Sequence, residues 1–315
     1  MALNGIDRVT FGVPDLAEAK RFLDDWGVAP LPGAPGVLRY ETRDGSEVEV
    51  RAIDDLVLPP PIEPGGTVRE VIWGAETAAE LDAALSGLGA DRPAQADADG
   101  IFRMRDPTGL GIGFRVSRRR PLAVSPTPVN GPGAPSRVDQ RSPVYERAHP
   151  AKIGHIVLFV DDLAKARAFY ERLGFVLSDE YPGHGAFMRC RTPGEHHNLF
   201  MLNRPGKPGL NHVAFTVADI HEVIGGGIAM SRKGWKTEIG PGRHPISSAY
   251  FWYFHNPLSA PLEYYADEDY CTADWKPGRF ERKPELFAEW AIAGGIDGTT
   301  RRQIRGRDDS GRGTA

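Results

Sequence analysis

Histidine carries most of the chemical potential of this chain, and its distribution is uneven. All nine histidines lie at position 149 or later in a sequence of 315 residues. Three side chains stand out by their surroundings. His155 in GHIVLFV, His212 in NHVAF and Glu263 in PLEYY each interrupt a short apolar stretch that reads as a strand. An ionised glutamate in such a strand needs a partner, because desolvating an unpaired carboxylate is costly. Two imidazoles and one carboxylate on a common face would give a divalent cation three ligands and leave positions open for chemistry. Each residue alone also has a plainer reading. A strand histidine is often just a hydrogen-bonded, half-buried side chain, and a lone glutamate there suits a salt bridge at a domain face.

The elements that must position these residues are visible as an internal repeat. IDRVTFGVPDLAEAKRFLDDWGV from Ile6 overlays IGHIVLFVDDLAKARAFYERLGF from Ile153 with a constant offset of 147 residues. Each copy reads as an alternating strand, a turn and an amphipathic helix. The apolar stripes are Leu16, Ala19, Phe22, Leu23 and Trp26 in the first copy, and Leu163, Ala166, Phe169, Tyr170 and Leu173 in the second. Gly27 and Gly174 follow as left-handed caps. Further on, VREVIWG with a helix over Thr77 to Leu88 matches LNHVAFTV with a helix over Ile220 to Ile224. DPTGLGIGF from Asp106 matches NPLSAPLEY from Asn256. In this frame Arg8, Glu70 and Gly113 stand where the second half has His155, His212 and Glu263. The cation-binding set is therefore confined to one half, on three different strands.

Composition bounds the rest. The chain is long enough for two domains, each with a core of its own. Charged residues are 25% and the net charge is −4, so no global positive field recommends nucleic acid or an anionic membrane as partner. No stretch has the length and apolarity of a membrane span or a targeting segment, and two cysteines make no disulfide framework, which fits a cytoplasmic protein. Seven prolines between Arg119 and Pro150 mark an extended connection. The expected boundaries are residues 4–118 for a domain without a metal site, 119–150 for the linker, 151–267 for a catalytic domain and 268–315 for a tail. The Gly- and Arg-rich end from Gly294 is expected to fray.

The ordered segments GHIVLFV, EHHNLFML, LNHVAFTV, GPGRHPISSAYFWYFHNP and LEYY, within roughly Asn4 to Asp267, resemble the type I extradiol ring-cleavage dioxygenases of the vicinal oxygen chelate superfamily. The resemblance implies an α+β fold of two domains, each built from two βαβββ modules forming a curved incomplete barrel. It implies iron(II), with manganese(II) as the other possible ion, on His155, His212 and Glu263, and a lost site at Arg8, Glu70 and Gly113. His197 matches the family's acid–base histidine, and His244 and Tyr253 match its hydrogen-bonding groups around the substrate. His196 would face away from His197 in an extended segment, as a supporting or surface residue. Val157, two residues beyond His155 on one strand face, and Phe187 and Phe200 are expected to line the ring pocket. Phe251, Trp252 and Phe254 read as packing, and His149, His184, His221 and His255 as surface, structural or locally bonded.

The implied activity is cleavage of a small-molecule catechol by O2 outside its diol, in aromatic catabolism, by a homo-oligomer. Iron has the redox chemistry this needs and zinc does not. The alternatives are a non-oxygenase metalloenzyme of the same superfamily, of glyoxalase, isomerase or hydrolase type, and a binding protein, against which a full ligand set argues. The long proline-rich connection and the interval of 57 residues between His155 and His212, shorter than in biphenyl-type members, leave the choice of diol open.

Overall fold

A computed structural model describes residues 3–93 and 95–296; most of the Gly- and Arg-rich end, residues 297–315, lies outside the described residues. The first half runs β1 (Gly5–Val13), α1 (Leu16–Trp26), β2 (Ala29–Leu31), β3 (Val37–Glu41), β4 (Glu47–Ala52), β5 (Thr67–Ala75), α2 (Ala78–Ser86), β6 (Phe102–Arg105) and β7 (Gly111–Val116). The second runs β8 (Lys152–Val160), α3 (Leu163–Arg172), β9 (Val176–Tyr181), β10 (Gly185–Arg189), β11 (Gly194–Glu195), β12 (Leu199–Asn203), β13 (Gly209–Thr216), α4 (Ile220–Arg232), β14 (Thr237–Arg243), β15 (Tyr250–Phe254) and β16 (Leu262–Ala266). The tail adds β17 (Tyr270–Cys271), β18 (Gly278–Arg279) and β19 (Trp290–Ala293).

The seven-stranded sheet of the first half has the order β2-β3-β4-β1-β5-β7-β6, and the ten-stranded sheet of the second β18-β9-β10-β12-β8-β13-β16-β15-β14-β19. Each centres on an antiparallel pair, β1–β5 or β8–β13, flanked on both sides by a parallel strand. That arrangement is the duplicated βαβββ fold. Among the described residues the module starting at β5 has two strands after its helix, β6 and β7, where the matching module from β13 has three.

The helices form where the apolar stripes place them. Asp15, Asp162 and Asp219 cap α1, α3 and α4 by accepting hydrogen bonds from first-turn amides, and Thr77 closes a capping box on α2. Helix α4 extends to Arg232, well beyond Ile224. Gly225, Gly226 and Gly227 weaken its helical signature, each costing about 1 kcal/mol relative to alanine in a helix. Packing explains them: a Cβ at Gly227 would come within 2.0 Å of the Trp252 ring.

The apolar interiors of the two halves run into one another. Trp26 of α1 stacks on Tyr264 of β16 at 3.7 Å between ring centres, and the Tyr264 hydroxyl donates to the Trp26 carbonyl at 2.6 Å. Tyr170 of α3 donates to Asp106 of the first half at 2.9 Å. These contacts fix the first sheet as a brace for the second.

Candidate active site

His155 on β8, His212 on β13 and Glu263 on β16 come from three adjacent strands of the larger sheet. Pairing places Ala214 opposite both His155 and Glu263, and Val157 opposite His212. The result is a triangle. His155 Nε2 and His212 Nε2 are 3.2 Å apart, and each lies 3.2 Å from Glu263 Oε2. Neither Glu263 oxygen has a hydrogen-bond partner, although its side chain is 1% exposed.

This donor set fits a divalent cation. Metal–nitrogen bonds of about 2.1 Å at right angles separate adjacent ligand atoms by about 3.0 Å, close to the edges of the triangle. The protonation states fit as well. The Asn211 side-chain oxygen lies 2.6 Å from His212 Nδ1 and accepts its proton, leaving the lone pair on Nε2. Burial, reinforced by the neighbouring imidazole of His197, pushes His155 down to about 4, so its imidazole is neutral. Two imidazole nitrogens and one carboxylate oxygen thus face the cavity together.

The cavity measures about 560 Å³ and is bounded by His155, Val157, Phe187, His197, Phe200, His212, His244, Tyr253 and Glu263 together. All the residues singled out from the sequence thus meet in one place. Phe187 and Phe200, paired across β10 and β12, stack at 3.7 Å with an interplanar angle of 6° and form one flat wall. His197 is buried beside His155, with ring centres 4.1 Å apart. Burial, reinforced by the neighbouring imidazole of His196, holds it well below the ordinary histidine range. On the other side, His244 Nδ1 donates to the Phe287 carbonyl at 2.6 Å, which leaves Nε2 to accept from the Tyr253 hydroxyl at 3.1 Å. The His244 ring stacks on Phe251.

The match to known proteins agrees with this geometry. The Glyoxalase/Bleomycin resistance protein/Dioxygenase superfamily matches residues 152–264. Metapyrocatechase 2 of Cupriavidus necator is 30% identical over 302 residues, covering 92% of this chain and 89% of that protein. The chain belongs to the type I extradiol dioxygenases. Metapyrocatechase of Pseudomonas sp. (strain CF600) is 27% identical over 132 residues, 40% of this chain and 42% of that one. Two solved structures share the fold over nearly the full length. One is a Mn(II)-bound glyoxalase from Novosphingobium aromaticivorans, with a TM-score of 0.72 and 24% identity over 95% of this chain and 93% of that one. The other is BphC, a halotolerant catechol dioxygenase, with a TM-score of 0.71 and 19% identity over 94% and 95%.

In this extradiol dioxygenase several neighbours of the site escaped the sequence reading. His196, expected as a supporting or surface residue, is fully buried behind His197, and the Asp179 that holds it was not foreseen. The His196 Nε2 lies 2.9 Å from Asp179 Oδ2, to which it donates, and its Nδ1 lies 3.1 Å from His197 Nδ1. His184, assigned to the surface or a local bond, is exposed but borders the cavity. The tail closes one side of the cavity with Pro284, Leu286 and Phe287. Tyr181 anchors it there by donating to the Leu286 carbonyl at 3.1 Å. Glu268, just past β16, lies with its side chain 3% exposed and Oε1 2.8 Å from His197 Nδ1. Burial pushes its carboxyl up to about 7.

Proposed function

We propose that this dioxygenase opens the ring of a small catechol next to its diol, on a centre held by His155, His212 and Glu263. The observation that carries the reading is the triangle of three ligand atoms on the floor of a largely apolar cavity, with His197 against one ligand and Tyr253 and His244 on the opposite side. Iron(II), with manganese(II) as the other candidate, would supply there a chelation point for two adjacent hydroxyl oxygens and the redox capacity to activate O2.

The chain's own residues then have distinct tasks. Val157 and the stacked Phe187 and Phe200 hold the aromatic ring and exclude water from one face. His197 has its Nδ1 engaged by its neighbours, so Nε2 is the atom that takes up and returns a proton. A histidine held neutral by burial is a proton acceptor first. The Tyr253 hydroxyl and His244 Nε2, hydrogen-bonded to each other, orient a substrate oxygen and accept the proton it loses. The carboxylate of Glu263 balances charge at the centre.

The division of labour follows the boundaries at residues 4–118, 119–150 and 151–267, and the tail from residue 268 contributes to the working cavity. Among the described residues no helix is long and apolar enough to cross a membrane. With free, buried Cys190 and Cys271 this suits the cytoplasm, and by analogy with its family we take the protein to act as a homo-oligomer. A panel of substituted catechols, tested under air with the iron-loaded protein, should turn yellow as each ring opens and consume O2 mole for mole. A loaded protein that consumed no O2 with any diol would favour a non-oxygenase metalloenzyme, as the likeness of fold to the Mn(II) glyoxalase would allow.

A further inference from the structure

Five residues after the carboxylate of the proposed metal set, the chain does something its partner half does not. Strand β16 ends at Ala266, and Asp267 adopts a left-handed backbone with φ of 63°. That turn sends Glu268 back towards the interior. The next residues, Tyr270 and Cys271 in β17, pair with Glu195 and Gly194 in β11, immediately before His196 and His197. Two short strands thereby clamp the Glu268 backbone against the histidine segment. The corresponding position of the first half, five residues after Gly113, is Arg118.

The clamp places one carboxylate among several imidazole nitrogens. Glu268 Oε1 accepts from the His197 backbone amide at 3.3 Å and lies 2.8 Å from its Nδ1. A ring nitrogen of His155, one of His197 and a Glu268 oxygen all lie within 4.8 Å of one another. His155 Nδ1 and Glu268 Oε2 are both buried without a hydrogen-bond partner. The tautomers follow from the ligand assignment and the surroundings. With an ion on its Nε2, which faces His212 and Glu263, the His155 proton sits on Nδ1. His196 donates through Nε2 to Asp179, so its Nδ1 is an acceptor, and the His197 Nδ1 proton is bracketed by His196 Nδ1 and Glu268 Oε1.

We infer that Glu268 is a positioning residue shared by the metal ligand His155 and the proton carrier His197, fixing the Nδ1–H tautomer of both and so directing both Nε2 lone pairs into the cavity. This rests on the ligand assignment proposed above. A carboxylate behind a ligating histidine fixes its ring and raises its basicity, and removing such a partner typically weakens metal binding about 10–100-fold. Here the same group also orients the acid–base histidine, so one substitution should register in two independent measurements. The competing reading, a second ion on His155, His197 and Glu268, would require both nitrogens of His155 as ligands and hence an imidazolate with no N–H.

The test uses the full chain and Glu268→Gln, which keeps the shape of the side chain and removes its charge. Iron(II) affinity is measured anaerobically by chelator competition, and kcat and KM are measured on iron-saturated protein with the best diol of the panel. The expected result is an affinity about 10–100-fold weaker, and a kcat at least about 10-fold lower with KM nearly unchanged. Affinity and kcat both at wild-type values in a folded variant would overturn the inference. Nitrogen-15 spectra of the metal-free wild-type protein give a second reading that needs no variant to fold and no turnover. Nδ1–H at His197 supports the inference, and Nε2–H there overturns it. Two equivalents of iron per wild-type chain, one of them lost in Glu268→Gln, would replace it with the second-ion reading. Failure of the ligand assignment itself would show separately, as a wild-type chain that binds no iron.

Discussion

The two halves of this dioxygenase put the same three strand positions to opposite uses. In the first half β5 pairs with β1 so that Glu70 faces Thr10, and with β7 so that Ile72 faces Gly113. In the second, His212 faces Val157 and Ala214 faces Glu263 at the matching places. The backbones agree residue for residue, and the chemistry diverges completely. Arg8 reaches Glu70 at 3.1 Å, and Arg103 reaches the other oxygen of the same carboxylate at 2.8 Å. At Gly113 an added Cβ would lie 2.5 Å from Ile72 and 2.6 Å from Ile101. One half satisfies its buried carboxylate internally and fills the third position with aliphatic side chains. The other leaves its carboxylate without a hydrogen-bond donor, which costs stability unless something else supplies positive charge. The same three strand positions can thus serve without a metal centre, provided the polar groups there find partners.

The contrast can be pushed from both sides. In the second half, His197→Phe keeps an aromatic ring and spares the triangle. Iron and catechol should bind nearly as in the wild type while turnover falls by about 10²–10⁴-fold, the usual cost of losing acid–base assistance. Single-turnover absorbance would read it, and unchanged turnover with the metal in place would move the role to another residue. In the first half, Gly113→Glu places a carboxylate where Glu263 sits in the other sheet. Urea unfolding should show a loss of at least about 3 kcal/mol and no added metal, because the side chain is overpacked and its charge unpaired.

Smaller effects sharpen the same boundary. Glu70→Ala leaves Arg8 without its nearest partner. Stability should fall by about 1–3 kcal/mol while turnover stays at the wild-type level. Thermal unfolding and oxygen uptake measured together would detect a coupling between the halves that this account does not include. Tyr253→Phe removes only the hydroxyl bonded to His244, and kcat/KM should fall about five-fold with iron content unchanged.

How much of this was readable beforehand depended on the repeat. Positions inside it were legible: the duplicated frame singled out His155, His212 and Glu263, and Val157 followed from strand alternation. Phe251, Trp252 and Phe254, taken as packing, are fully buried. What lay outside the frame was hidden. Glu268, Phe287 and the other tail residues follow the last matched strand, and two-residue strands such as β11 and β17 leave no periodicity to recognise. Asp179 and His196 meet only because His196 turns inward, which alternation alone argued against. The length of α4 was masked by three glycines whose reason, the Trp252 ring, lies on another strand. The packing between the halves was hidden as well, because Trp26 and Tyr264, unremarkable in isolation, stack across them.

The central claim is that one half holds the ion and the other cannot. It is tested most directly by metal analysis of anaerobically iron-loaded wild type, Glu263→Ala and Glu70→Ala, each checked for folding. The account predicts one iron per chain in the wild type and in Glu70→Ala, and almost none in Glu263→Ala. Equal loss of iron from both folded variants, or full retention in Glu263→Ala, would contradict it.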